Sequence, residues 1–472
     1  MKIRSAILIL AGFVLLPGSS FAGVLKTGAA ISNITPPRGI AIVGNWGEET
    51  AVNVHDELHA RAIVLDDGGR KVALVVCDLL GLPVEVCNQA RKLVSEKTGI
   101  PEGNVMISVT HTHSAGTALG ENADLSAYQK HVVSRLTDAV VMANGRLRPS
   151  EMTFGRVDIP DHVFNRRWSL KEGKMPLNPF GKVDKAQMNP AQGSPNLVEP
   201  VGPTDPSVSF IAFREPGGRL TSLFAAYSLH YVGGVKFGDI SSDYFGVFCD
   251  ELKRRQPVAD DGTAPPFMAM LANGTSGDIN SINFRTPPPP EGSYKKMQRI
   301  GVDVADKIDN AIKAAKWESE ISLDAKFKVL TIPRRTVSPE LKAWAEETSK
   351  KEVPKGQVDL PYIYSRRVLN SLKYEQTMSV PLQYLRIGNV GIGTMPVEVF
   401  AETGLDFKKK APLANSFMVS MAHGFLGYLP PARHFDLGGY ETWPGTSQLS
   451  AGAEAVMLKE LLEMAETAKS PN

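Results

Sequence analysis

The chain is poor in several things that would fix its class at once. Of its 472 residues only three are cysteines, Cys77, Cys87 and Cys249. An odd number this small cannot build a disulfide framework, and no CxxC pair offers a thiolate zinc site. Cys77 stands in an apolar run and reads as a buried thiol, with one bridge among the three left open. Net charge is scarce too: 52 Lys+Arg stand against 50 Asp+Glu, a formal +2. That excludes a nucleic-acid binder working through bulk positive charge. After the first 22 residues no apolar run is long enough to span a bilayer as a helix. The G-x-S-x-G elbow, the Walker loop and a G-x-G-x-x-G following a strand are all missing, so the usual serine-hydrolase and nucleotide-binding plans carry no signal.

What is present is ordinary for a folded protein, with 43% hydrophobic and 22% charged residues. Residues 1–22 read as a secretory signal. Lys2 and Arg4 form the positive start, 7–16 the apolar stretch, and Ser20, Phe21 and Ala22 the small-residue cleavage site. The expectation is an exported bacterial protein, periplasmic or extracellular, without a transmembrane anchor. Residues 23–472 then form one catalytic domain. No internal repeat or linker is evident.

Short apolar runs alternate with helix-like segments. Residues 71–76 (KVALVV) read as a buried strand, 84–98 as a helix and 105–109 as the next strand, a βαβ unit with a parallel pair. Further strands are expected at 61–65, 207–213, 223–229, 267–271, 390–394 and 417–421. Helices are expected at 127–143, 244–255, 294–315, 339–350 and 451–467. The class is therefore α/β, a mixed central sheet with flanking helices and a site at the carboxyl-end rim of the strands. The proline-rich stretch 165–206 reads as a loop, either a wall or lid or a simple surface excursion.

The informative pattern lies at the strand ends. VMISV runs into THTHS at 110–114, LFAAYSL into His230, FMAML into NGTSGD at 273–278, VGIGT into Met395, Pro396, Val397 and Glu398, FMVSM into His423, and KVALVV into Cys77 and Asp78. On an extended backbone His111 and His113 face the same side. With His230 and Glu398 they make a set of imidazole and carboxylate donors that suits Zn²⁺ better than Mg²⁺ or Ca²⁺. Two hydrogen-bonded core histidines are the plainer alternative for His111 and His113. The segment around Asn273, Gly277, Asp278 and Asn280 offers small residues for an oxyanion nest, or simply a tight turn. Asp78 and Asp243 are candidates to orient imidazoles from behind. His55 to His59 (HDELH) imitates a zincin helix with its glutamate one place late and is rejected.

These residues resemble the neutral/alkaline (non-lysosomal) ceramidase family, in its catalytic N-terminal domain. AAISNITPP at 29–37, VHDELHARAIVL at 54–65, THTHS at 110–114, Asn165 and Arg166, His230, Gly277 and Asp278, and Pro396 to Glu398 carry the likeness across most of the chain. The resemblance implies one zinc per chain held by His111, His230, Glu398 and Tyr428, with Tyr440 the alternative tyrosine. It implies catalytic roles for His113, to shuttle protons or bind the scissile carbonyl, for Arg166 as substrate contact and for Tyr428. The substrate class so implied is a small-molecule or lipid amide, and sphingolipid metabolism the setting. The family's G-D-x-S-P-N serine is replaced by Asn280, and its C-terminal β-sandwich has no counterpart here. The chain thus looks like a short bacterial branch. A metallo-esterase, an N-acyl-glycan deacylase and a non-catalytic lipid or glycan binder are the competing functions.

Overall fold

Period-two alternation in the apolar strands decides the architecture. In the strand His59–Asp66, Ile63 and Leu65 turn to one face while Ala62 and Val64 turn to the other, and all four are buried. A strand buried on both faces needs a partner layer on each side. The computed structural model shows what those layers are. It describes residues 23–47, 49–120, 125–257, 265–354 and 356–468. The expected signal segment lies outside them.

The chain builds the same unit three times. The first comprises β1 (Lys26–Asn33), β2 (His59–Asp66), β3 (Lys71–Cys77), α1 (Val84–Thr98), β4 (Val105–Val109) and α2 (Ala127–Gly145). The second comprises β5 (Glu151–Asp158), β6 (Ser207–Arg214), β7 (Leu220–Tyr227), α3 (Asp243–Arg255), β8 (Met268–Asn273) and α4 (Lys295–Lys313). The third begins with β9 (Leu323–Pro333), inserts α5 (Pro339–Thr348) and α6 (Leu360–Ser371), and continues with β10 (Thr377–Ile387), β11 (Val390–Thr394), α7 (Ala401–Lys410), β12 (Asn415–Val419) and α8 (Ala453–Ala468). In each unit three strands pair antiparallel, a helix crosses over, and the fourth strand pairs parallel with the third. The helical crossover is what a parallel neighbour requires.

The α/β class therefore holds, but the single central sheet becomes three sheets. Each gives one face to a shared core: Ile63, Leu74 and Met106 from the first, Phe213, Phe224 and Met270 from the second, Leu385, Ile392 and Phe417 from the third. The other face of each sheet packs on helices of its own unit, for example Ala62 and Val75 with Val132 and Leu136 of α2. Small residues on that outer face let the helices sit close, and each large side chain buried is worth ~1.5–3 kcal/mol. Stretch 165–206 is less irregular than its prolines imply. Arg167–Leu170 pairs antiparallel with Gln187–Met188 and Leu197–Pro200 in a small sheet. Cys77, Cys87 and Cys249 are all buried free thiols. Among the described residues no helix is long and apolar enough to cross a membrane.

Candidate active site

The three units feed one cavity of about 430 Å³ from equivalent loops. The long connections between the first and second strands supply its walls: Gly44 and Trp46 from the first unit, Arg166 and Asn189 from the second, Arg367 from the third. The loops between the third strand and the crossover helix supply Leu80, then His230 and Tyr231, then Glu398. Segments after the fourth strand bring His111 and His113 from the first unit, and Phe425, Tyr428 and Tyr440 from the third.

At its base His111, His113 and His230 bring ring nitrogens within 4.8 Å of one another. Their orientation is set by the backbone carbonyls behind them. Nδ1 of His111 is 2.7 Å from the Leu80 carbonyl, Nδ1 of His230 is 3.1 Å from that of Ser276, and Nδ1 of His113 is 3.1 Å from that of Gly44. A carbonyl only accepts, so each Nδ1 carries the proton and each Nε2 turns a lone pair inward. Nε2 of His113 and His111 are 3.2 Å apart. Glu398 Oε2 adds a negative oxygen 3.4 Å from Nε2 of His111 and 3.9 Å from that of His230. Glu398 Oε2 and His230 Nε2 are buried without a hydrogen-bond partner. Three lone pairs and a carboxylate facing one point repel each other unless a cation sits among them. The donor set thus fits a divalent metal of intermediate softness.

Protonating His113 or His230 does not offer a way out. Burial, the neighbouring His111 and the Arg166 guanidinium hold His113 and His230 well below the usual histidine range. The surroundings thus favour a neutral His113 ring. The route by which His111 and His113 meet also differs from expectation. β4 ends at Val109, and His111 adopts the left-handed φ of 70°. A bent backbone, not strand alternation, brings the rings together edge to face with centroids 4.8 Å apart. Such a conformation costs a non-glycine residue ~1–3 kcal/mol.

Arg166 and Tyr428 flank the cluster. Tyr428 lies opposite Glu398 in a two-stranded parallel pairing. The Arg166 guanidinium lies 5.3 Å from the Tyr428 ring and 6.0 Å from the Tyr440 ring, and both tyrosines line the cavity. Its Nε donates to Glu441 Oε1 at 2.8 Å while its buried Nη2 has no partner.

The remaining candidates do other work. Asp78 accepts from Arg61 and from the His59 N–H, each bond consuming Oδ2, and it touches none of the clustered imidazoles. Asp243 accepts from the N–H groups of Val232, Gly233 and Tyr244 and so fixes the backbone just after His230, not its ring. The 273–280 segment does not line the cavity. Its N–H groups are spent inside the protein: Gly274 on Tyr227, Thr275 on Ser228, Gly277 on Val399, Ile279 on Ser276. It is a clasp, not an oxyanion nest. Asn273 donates towards the carbonyls of Thr110 and Leu229, one residue before each buried histidine. Gly277 lies so near Glu398 that a Cβ would sit 2.7 Å from its carbonyl oxygen. Asp278 accepts from Asn165 and from the N–H of Ala401 at the start of α7. Asn280 bonds Asn189 and pairs with Phe164. Of the rejected pair, His55 stacks on Tyr294 and His59 faces Glu57.

The sequence placed Tyr231 at a strand end without a role, and its ring stacks on His113 at 3.6 Å; Trp46, Glu441 and Arg367 were missed. Lone aromatics and arginines in long connections carry no periodic signal. Gly44, with φ of 115° and no room for a Cβ beside the His113 ring, was the one local hint.

No protein-family model matches the chain. Among characterised proteins it is similar to the neutral ceramidase of Pseudomonas aeruginosa, 22% identical over 309 residues covering 62% of this chain and 42% of that one. Neutral ceramidase B of Dictyostelium discoideum is 22% identical over 259 residues, covering 52% and 33%. The match thus spans less than half the length of either relative. Among solved structures, the neutral ceramidase of Pseudomonas aeruginosa superposes with a TM-score of 0.68 at 17% identity, covering 94% of this chain and 74% of that one. A ceramidase complexed with C2 gives 0.67 at 17% identity, covering 95% and 76%. With three units folded as described around one histidine-rich cavity, the chain has the fold of the neutral ceramidases and resembles them in sequence.

Proposed function

We propose that this chain is an exported, zinc-dependent amidohydrolase that cleaves an N-acyl bond in a ceramide-like or other lipid amide. The observation that carries the reading is the meeting of three inward imidazole lone pairs with the unpartnered Glu398 carboxylate at the base of a cavity. His111, His230 and Glu398 would hold the ion, with Tyr428 as the fourth ligand. Bound there, zinc would supply Lewis-acid polarisation of the amide carbonyl and lower the pKa of the attacking water.

The protein's own groups account for the rest. His113 Nε2 is the proton acceptor of the site, since its Nδ1–H is committed to Gly44 and its ring is kept neutral by burial. It takes the proton released as water adds to the carbonyl and returns it to the departing nitrogen. The C–N bond then breaks to give a carboxylic acid and an amine. Arg166, permanently cationic, keeps an unpartnered Nη2 that would meet negative charge growing on the substrate oxygen. Tyr231 braces the His113 ring, and Trp46, Phe425 and Leu80 give the substrate an apolar surface. Export is the role read from residues 1–22, ahead of work in the periplasm or the medium.

The test is a panel of N-acyl amides and matched esters of graded acyl length, offered to chelator-treated and zinc-restored protein. Fatty acid release that returns with zinc and vanishes in His113→Ala is the expected result. A zinc-loaded protein that splits no amide, or His113→Ala working at the wild-type rate, would overturn the reading.

A further inference from the structure

Beside the main cavity lies a smaller one of about 200 Å³, and Arg367, Gly445 and Gln448 line both. Three arginines, Arg334, Arg335 and Arg367, face it. Arg334 donates to Gln448 Oε1 at 3.1 Å, and its buried Nε has no partner. Arg335 donates to the Thr442 carbonyl. Arg367 stacks over the rings of Trp46 and Tyr364, at 5.6 and 5.0 Å. None of the three forms an ion pair with a carboxylate among the described residues. The contrast with Arg166 and Arg167 is direct, since Glu441 neutralises both of those. Burial lowers the Arg335 pKa with no acid to offset it. Three guanidiniums without counter-charge around one concavity repel one another, and a bound anion relieves that repulsion.

We propose that this cavity is a subsite for an oxyanion, a carboxylate or a phosphate, carried on the amine side of the amide substrate. The proposal rests on the amidohydrolase reading and narrows its substrate class. Guanidinium forks match the paired oxygens of either group. The amine side is assigned by charge: three guanidiniums line the smaller cavity beside Val337, Leu372 and Pro444, whereas Val43, Leu80 and Phe425 give the main one an apolar wall for an acyl chain. The two cavities meet at the residues they share. Thr446 faces the main one and Ser447 the smaller one, and Gly445 lacks the Cβ that would press on Arg367.

Three substrates with one acyl chain test it: N-dodecanoylglycine, N-dodecanoyl-ethanolamine phosphate and neutral N-dodecanoyl-ethanolamine, each with the zinc-loaded full chain. One or both anionic amides should show kcat/KM at least tenfold above the neutral one, and which of them leads identifies the group. In Arg335→Gln the ratio should fall at least fivefold. Equal turnover of all three, or a ratio unmoved by Arg335→Gln, would defeat the subsite while leaving the hydrolase standing. If none is cleaved, the hydrolase reading fails, and calorimetric binding of the same compounds decides the subsite. Anion preference lost in Arg335→Gln supports it, and no preference overturns it.

Discussion

Glu398 Oε2 lies 3.4 Å from Nε2 of His111, and both residues are almost wholly withdrawn from solvent. A carboxylate kept so close to an inward imidazole lone pair needs a positive charge between them. The purified protein should therefore carry about one equivalent of divalent metal. Chelation should lower the thermal midpoint, because it strips a ligand that binds only the folded state. Glu398→Ala and His111→Ala should each abolish retention by elemental analysis. A metal-free protein with an unchanged midpoint after chelator treatment would contradict this.

Asn273 ties together the strand ends that deliver the two buried histidines. Asn273→Ala removes the donor from two carbonyls and the acceptor from Ser276 Oγ, at a cost of ~1–3 kcal/mol. Asn273→Asp, though the same shape, should be at least as harmful, since it turns carboxylate oxygen towards carbonyl oxygen. Denaturant melts of both variants, with metal content measured alongside, check the order.

Glu441 sits buried between Arg166 and Arg167. Its removal in Glu441→Ala strands two buried guanidiniums, with an expected loss of ~3–5 kcal/mol. Glu441→Gln keeps the shape and one acceptor, so it should lose less stability. Because it loosens Arg166, it should lower kcat more than it raises KM.

Glu402 gives a pH signature. The hydrogen bond from His434, then the Arg433 fork, pushes its carboxyl down to about 2 from the usual 4.5. The unfolded chain takes up this proton first as pH falls, so the contribution is complete above 4.5 and is lost as the pH drops towards 2. Glu402→Gln should flatten the acid limb of a stability-against-pH curve over that window and leave its neutral region parallel to wild type.

Much of this fold is legible in the sequence where local pattern is strong. The helix at 84–98 and the strands at 105–109 and 390–394 coincide with the structure residue for residue. β9 and β10 are not legible because charged residues alternate through the first and Pro381 interrupts the second. That proline is tolerated because it lies outside the stretch of β10 that pairs with β11, where only β9 is its neighbour. The threefold repeat is invisible in the sequence because it is a repeat of topology, with connections of unlike length and composition. At the site, His111, His113, His230 and Glu398 can be picked out because each follows a legible strand. Asp78, Asp243 and the 273–280 segment follow strands too, or open a helix. What separates them is which backbone groups claim their polar atoms, and that depends on contacts distant in sequence.

Each of the three units supplies one residue to the proposed ion site: His111 from the first, His230 from the second, Glu398 from the third. Repeated modules tend to come apart piecemeal, yet an ion gripped by all of them is released when any single one opens. It would act as a rivet, making the melting of this protein more cooperative when loaded than when stripped.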